Sequence, residues 1–261
     1  MREKLIKDDY FHTWKSMLDI DIQQEFLAIE QTELEPHSFT FYTSVSVMSS
    51  SKIEGEEMEV DSYVKHKLFD TEYLPELTEK PNDLYQAYLF ANENNLNKSN
   101  FLNAHKLITA HLLPQVQRGT IRNTEMLVLE HKTGKIQYEA APSRLVNELY
   151  DIFWDELETL IEKDTSIEEI FYYASYIHLA FVNIHPFRDG NGRISRLLEK
   201  WFLAEKLGQR AWYIKSEKFY YKNINAYYRN LSRLGLFYEQ LDYSKSLPFL
   251  LMLPQSLVFD K

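Results

Sequence analysis

The chain has no cysteine, few glycines and no excess of positive charge, and each shortage removes a class of protein. Without cysteine there are no disulfides and no thiolate metal sites. Lys and Arg number 29 against 39 Asp and Glu, a formal net charge of -10, so the broad basic face of a general nucleic-acid binder is not expected. A nucleotide ligand is still compatible, because it needs only a local positive site. No apolar run reaches the roughly 20 residues of a membrane-spanning helix. The start, Met1 to Tyr10, has no apolar signal-peptide region, and a cytoplasmic protein is the expectation. Only seven glycines occur in 261 residues, yet Gly190 and Gly192 stand two positions apart. In so glycine-poor a chain, that pair marks backbone with special conformational demands.

What is present is apolar and aromatic. Hydrophobic residues make up 44% of the chain, with 18 Tyr and 16 Phe, enough for a sizeable core. Residues 11–34 read as helix, ending before Pro36. Residues 38–54 are ambiguous. Thr40 to Met48 is rich in β-branched and aromatic residues and favours a strand. Val45, Met48 and Ile53 fit a helical face as well, and Gly55 suits the position just past a helix end. Glu54 to Asp61 is acidic and reads as exposed. Residues 82–112 read as two helices broken around 97–100.

Two β-prone runs, Thr124 to Leu129 and Ile136 to Tyr138, flank Lys132-Thr133-Gly134-Lys135 and predict a hairpin. Residues 143–162 and 167–184 read as helices. The second is nearly all apolar, hence buried and central, and runs straight into His185-Pro186. A further helix opens at the glycine pair and ends at Gly208, and residues 216–234 and 245–258 supply two more. The class is mainly α with one hairpin, and no linker forces a second domain.

The chemistry concentrates in His185-Pro186-Phe187-Arg188-Asp189-Gly190-Asn191-Gly192-Arg193, followed by Ser195 and Arg196. Gly190 and Gly192 let backbone N–H groups turn inward as an anion nest, and the helix that follows points its N-terminus at the same spot. Arg193 and Arg196, three apart, share one face of its first turn and can grip one polyphosphate through forked hydrogen bonds. Asp189 is a hard anionic ligand suited to Mg²⁺ bridging phosphates. His185 is placed to take a proton from an incoming hydroxyl. A lone histidine after an apolar helix, a lone Gly-Asn-Gly or a pair of helix arginines is each ordinarily structural. Their coincidence in one short window is not.

His185 through Arg196 resembles the signature of Fic-domain proteins, HPFx(D/E)GNGRxxR, at every defined position. A looser likeness extends over roughly residues 40–250. Gly119, Arg122 and Thr124 with the hairpin resemble the segment the family calls the flap. Ser216-Glu217 and Tyr227-Tyr228 resemble its downstream helices. Two departures stand out: Leu129 where the flap usually has glycine, and Arg188 at the variable position.

The resemblance implies a Fic-type helical bundle with one β-hairpin flap, divided as an N-terminal helical region (1–80) and a catalytic core with C-terminal helices (81–261). Because the sequence ends soon after the last of these helices, the winged-helix domain that many bacterial relatives append is not expected within it. It implies transfer of AMP from ATP to a Ser, Thr or Tyr hydroxyl of a target protein. His185 would be the catalytic base and Asp189 the Mg²⁺ ligand. Gly190, Asn191, Gly192, Arg193, Ser195 and Arg196 would bind the phosphates. Met126, Leu127, Val128, Leu129, Tyr227 and Tyr228 would lie near the nucleotide. The target would pair with the hairpin near residues 124–138. No nucleic acid or membrane partner is implied, and homo-oligomerisation is left open. Removal of AMP, transfer of another phosphate-bearing group, and a non-catalytic nucleotide-sensing module are the alternatives.

Ser50-Ser51-Lys52-Ile53-Glu54-Gly55 matches (S/T)xxxE(G/N), the inhibitory motif of the same family. In the class it resembles, the inhibitory helix is N-terminal, which implies that residues 40–54 are helical. A glutamate at a helix C-terminus is unfavourable and calls for a cation. Arg196 is the expected partner of Glu54, with Ser50 and Gly55 completing the motif. This pairing would hold the γ-phosphate site and make Glu54 an autoinhibitory residue.

Overall fold

The computed structural model describes residues 4–29, 36–129, 134 and 136–259. Among these lie thirteen α-helices and one two-stranded sheet. In chain order they are α1 (Phe11–Ser16), α2 (Ile22–Leu27), α3 (Pro36–Ile53), α4 (Val60–Phe69), α5 (Pro75–Glu93), α6 (Lys98–Ile108), β1 (Leu127–Leu129), β2 (Ile136–Glu139), α7 (Ser143–Glu162), α8 (Ile167–Ile184), α9 (Asn191–Leu207), α10 (Ser216–Lys222), α11 (Ile224–Ser232), α12 (Leu247–Leu250) and α13 (Met252–Gln255). The protein is therefore mainly α with one hairpin.

Helix α8 is the axis of the bundle. Its first turn is fixed by a capping box, in which Ser166 and Glu169 each satisfy the other's backbone N–H. Every residue from Ile170 to Ile184 is buried. A helix apolar on all sides must be surrounded, and α1, α2, α7, α9, α12 and α13 pack against it. Trp14 on α1 donates its indole N–H to the carbonyl of Leu250 at 3.0 Å, tying the two ends of the described chain together across α8.

The ambiguous segment 38–54 is helical, against its strand propensity. Tertiary packing decides it: α3 lies against α4, α5, α9 and α10, and Ser44, Ser46, Ser49, Ser50 and Ser51 are buried there. These small side chains let neighbouring helices approach closely. Ser44 also returns its hydroxyl to the Thr40 carbonyl at 2.6 Å, satisfying a buried polar group within the helix.

The long helix expected at 11–34 is instead α1 and α2, because the Asp21 carboxylate accepts from Gln24 N and starts a new helix. Residues 30–35 fall outside the described residues. The helix expected at 216–234 divides at Asn223, whose carbonyl receives the first N–H groups of α11, from Ala226 and Tyr227. The segment 245–258 holds two one-turn helices containing Pro248 and Pro254, each lacking a backbone N–H to continue a helix.

β1 and β2 pair antiparallel, Leu127 with Glu139, Val128 with Tyr138 and Leu129 with Ile136, with an irregularity between Val128 and Leu129. The first strand is shorter than the β-prone run, which began at Thr124. Of the turn expected at 132–135, only Gly134 is among the described residues. No helix among the described residues is long and apolar enough to cross a membrane.

Candidate functional site

Pro186 lacks an N–H and disfavours the α conformation in the residue before it, so α8 has to stop at His185. His185 sits in the left-handed region, φ 52° and ψ 59°, uncommon for a residue with a side chain. Arg122 holds it there. This buried guanidinium donates to the carbonyl of His185 at 2.7 Å and to those of Ile184, Ala141 and Thr124. Its backbone N–H reaches the Pro186 carbonyl. One side chain thus joins both ends of the hairpin to the end of α8. In the sequence Arg122 stood out only within the flap resemblance, and nothing there marked it as a clamp.

The His185 ring donates from Nδ1 to the Val182 carbonyl at 3.2 Å, which leaves Nε2 as the lone-pair nitrogen. Burial, aided by the Arg122 charge, lowers its pKa to about 4. The imidazole is therefore a neutral acceptor at neutral pH.

The loop after it is braced from behind. Phe187 is buried and stacks on His105, ring centroids 3.6 Å apart. Gly119 N donates to His105 Nδ1, so His105 Nε2 carries the proton and donates to the Asp189 carbonyl at 3.0 Å. Desolvation lowers the His105 pKa to about 4 and keeps that arrangement neutral. Asn191 closes the loop on itself, accepting from Phe187 N and donating to Phe187 O. Gly190 takes φ 79°, and a Cβ there would stand 2.9 Å from Thr109 Cγ2, so both conformation and space require glycine. Asp189 is exposed, its carboxylate accepting from Gly190 N at 2.6 Å.

Helix α9 begins at Asn191 and aims its N-terminus at the C-terminal end of α3. There Gly55 N bonds to Lys52 O and Glu56 N to Ser51 O, the bond pair of a Schellman turn, with Gly55 at φ 91°. This turn presents two carboxylates to α9. Glu54 Oε1 lies 2.6 Å from Arg196 Nη2, and Glu56 Oε1 lies 3.0 Å from Arg193 Nη2 and 3.1 Å from Lys80 Nζ. Ser50 adds its hydroxyl and carbonyl to Arg196 Nε and Nη2. Gly192 makes room for the contact: a Cβ at that position would collide with the Glu54 carboxylate. The Glu54 carboxylate therefore lies where the N-terminus of α9 favours an anion.

The acidic stretch expected to be exposed is thus partly buried at Glu54 and Glu56, because two buried arginines face it. Arg193 Nε is buried without an acceptor among the described residues. A buried donor of that kind is expensive to leave unmatched.

A cavity of about 400 Å³ joins these parts. His185, Arg188, Asp189, Gly190, Asn191, Gly192 and Arg196 line one side, Leu127, Val128, Leu129 and Tyr138 of the hairpin another, and Tyr227 and Tyr228 a third, with Glu54 at its edge. Met126, Arg193 and Ser195 do not line it. Ser195 returns its hydroxyl to the Gly192 carbonyl, and Arg193 faces Glu56. Tyr228 donates to the Ile53 carbonyl at the end of α3. No group of three or more His, Cys, Asp or Glu among the described residues could hold a metal ion.

Comparisons with known proteins converge on one domain type. Residues 95–203 match the profile of the Fic/DOC family. The protein adenylyltransferase Fic of Nematostella vectensis is 31% identical over 121 residues, which are 44% of this chain and 26% of that protein, so the match spans about a quarter of the relative's length. Among solved structures, a Fic family protein from Desulfovibrio desulfuricans superposes with a TM-score of 0.76 at 18% identity, over 98% of this chain and 74% of that one. A Fic domain containing signaling protein from Bacteroides thetaiotaomicron gives 0.62 at 19% identity, over 91% and 92%. At these identities the structural likeness shows the fold.

Proposed function

We propose, from the premise that the chain carries a Fic domain, that it transfers AMP from ATP to a hydroxyl group of a protein, and that its own α3 turn holds the reaction off at rest. The observation that carries this reading is one cavity shared by a neutral histidine, whose lone-pair nitrogen the Val182 contact defines, and by a helix N-terminus built to receive anions. In the transfer, His185 Nε2 takes the proton of a Ser, Thr or Tyr hydroxyl. The hydroxyl oxygen forms a bond to the α-phosphorus, and the bond from that phosphorus to the bridging oxygen breaks, releasing pyrophosphate. The nest at Gly190 and Gly192, with Arg196 at the cavity wall, stabilises the charge that develops on the leaving group. The fixed loop supplies in-line orientation.

Asp189 is a single exposed carboxylate, a donor set that fits Mg²⁺ brought in with the phosphates rather than a protein cage. When bound, the ion neutralises phosphate charge. The hairpin offers the exposed apolar side chains of Leu127, Leu129 and Ile136. An extended target segment pairing there would present its hydroxyl to the cavity.

At rest, Glu54 occupies the anion position beside Gly192 and engages Arg196, while Glu56 engages Arg193. Phosphate and carboxylate compete for the same guanidinium donors. The reading is tested by incubating the Glu54→Gly protein, and separately a lysate containing it, with ATP and Mg²⁺, followed by peptide mass spectrometry. An AMP adduct on a hydroxyl residue, absent when His185→Ala is added, is the expected result. No adduct on any protein would refute transfer.

A further inference from the structure

We infer that Tyr227, backed by a buried His178–Glu199 pair, is the positioning residue that keeps Arg196 aimed into the cavity when α3 lets go of it, an inference that rests on the proposed nucleotide site. Arg196 is almost fully buried, and its described hydrogen bonds divide unequally. Those to Ser50 Oγ, Ser50 O and Glu54 Oε1 all go to α3 or the turn that ends it. The remaining one, from Nη1 to the Tyr227 hydroxyl at 3.3 Å, goes to the core. Once phosphate displaces Glu54, Ser50 on α3 and Tyr227 in the core remain as acceptors, and Tyr227 is the one whose hold does not depend on α3.

The direction of each bond is fixed by chemistry. A guanidinium only donates, so the Tyr227 oxygen accepts from Arg196. The phenol proton then needs another acceptor, and His178 Nε2 lies 3.0 Å away. That makes Nδ1 the protonated nitrogen of His178, and it donates to Glu199 Oε2 at 2.8 Å. Tyr220 donates to the same carboxylate. Burial pushes the Tyr227 hydroxyl up to about 12, so the phenol keeps its proton.

Every donor in the chain Arg196–Tyr227–His178 points toward Glu199. Neither His178 nor Glu199 lines the cavity, and both are fully buried. A buried carboxylate with no cation in contact is costly unless its hydrogen bonds are complete. Here Tyr220 and His178 supply them, and the His178 branch leads through Tyr227 to the contested arginine. Hydrogen bonds in series polarise one another in a low-dielectric interior. Glu199 can therefore act on Arg196 through two intermediaries without occupying the phosphate site.

The test uses the full chain in the Glu54→Gly background and measures ATP and AMP binding by calorimetry. Tyr227→Phe keeps the ring and removes the acceptor. It should weaken ATP about tenfold, in the range of one hydrogen bond to a charged group, while AMP, which lacks the β- and γ-phosphates, changes less than about twofold. With Arg196→Ala added, Tyr227→Phe should cost ATP less than about twofold. His178→Gln, which keeps a donor toward Glu199 and an acceptor toward Tyr227, should retain ATP affinity that His178→Phe loses. Equal losses for ATP and AMP, or a loss that survives removal of Arg196, would overturn the relay. An ATP-against-AMP split without any AMP transfer would support the relay and sink the transfer reaction. Transfer with no split would do the reverse.

Discussion

At the His185 end of the loop the candidate base faces a cavity: a neutral imidazole with Nε2 unprotonated, beside an exposed Asp189. At the arginine end, eight to eleven residues later in the same chain segment, both guanidiniums are engaged by carboxylates from one turn, Glu54 on Arg196 and Glu56 on Arg193. The base end is braced by groups remote from the cavity, Arg122 and His105, and its geometry needs nothing from α3. The phosphate end carries α3 directly. On the proposed function, the difference means that restraint works by occupancy: the candidate base is in place, and what would have to change is who holds the arginines.

The largest expected effect would break the comparison at its base end. In the Glu54→Gly background, His185→Ala should lower AMP incorporation by about a thousandfold, the scale of a lost general base. Label incorporation measured beside a melting curve checks it. A rate within tenfold of the parent would place the chemistry elsewhere.

A smaller effect sharpens the phosphate end. Glu56→Gln should lower the KM for ATP roughly three- to tenfold in the Glu54→Gly background. Glu56 is already held by Lys80 as well as by Arg193, so its removal yields less than removal of Glu54. An unchanged KM would confine the brake to Glu54.

The smallest effect is one of pH. With His185 at about 4, its base form persists on acidification, so transfer at pH 5 should stay within about twofold of that at pH 7. An ordinary histidine near 6.5 would already be mostly protonated there, and an acid limb near 6.5 in the rate profile would contradict the desolvated, neutral base. Stability follows the same sign. His185 and His105 bind protons less readily folded than unfolded, so the unfolded chain takes up more protons between about 6.5 and 4. Stability from these groups is full above that window and is lost as the pH falls through it, which melting temperatures at graded pH would show.

Much of the bundle was legible because its signals are local. α7, α8 and α9 announce themselves by their apolar residues, and the end of α9 by Gly208. Segment 38–54 was not settled by its residues, since strand propensity is local and the close packing of buried serines on four helices is not. The helix breaks at Asp21 and Asn223 escaped because apolar spacing runs across them, while the new helices start on a few local bonds, to the Asp21 carboxylate and to the Asn223 carbonyl.

The loop from His185 to Arg196 was readable as a unit for the same reason, its parts being neighbours in sequence. Glu56 was not. It stands 137 residues from Arg193 and looked like one more exposed acid. Arg122, His105 and the Tyr227–His178–Glu199 chain were hidden similarly, for a buried polar residue declares its role only through a partner that folding brings to it.

The most direct test of the central claim is AMP transfer from ATP labelled at the α-phosphate, compared between the wild-type chain and Glu54→Gly over a range of ATP concentrations. If the arginine end is merely occupied, Glu54→Gly should incorporate label at least about tenfold faster, on the scale of freeing a partly buried ion pair, and ATP labelled at the γ-phosphate should leave no label on protein. Equal rates in the two proteins would contradict control by occupancy of Arg196. Label retained from the γ-phosphate would contradict AMP transfer.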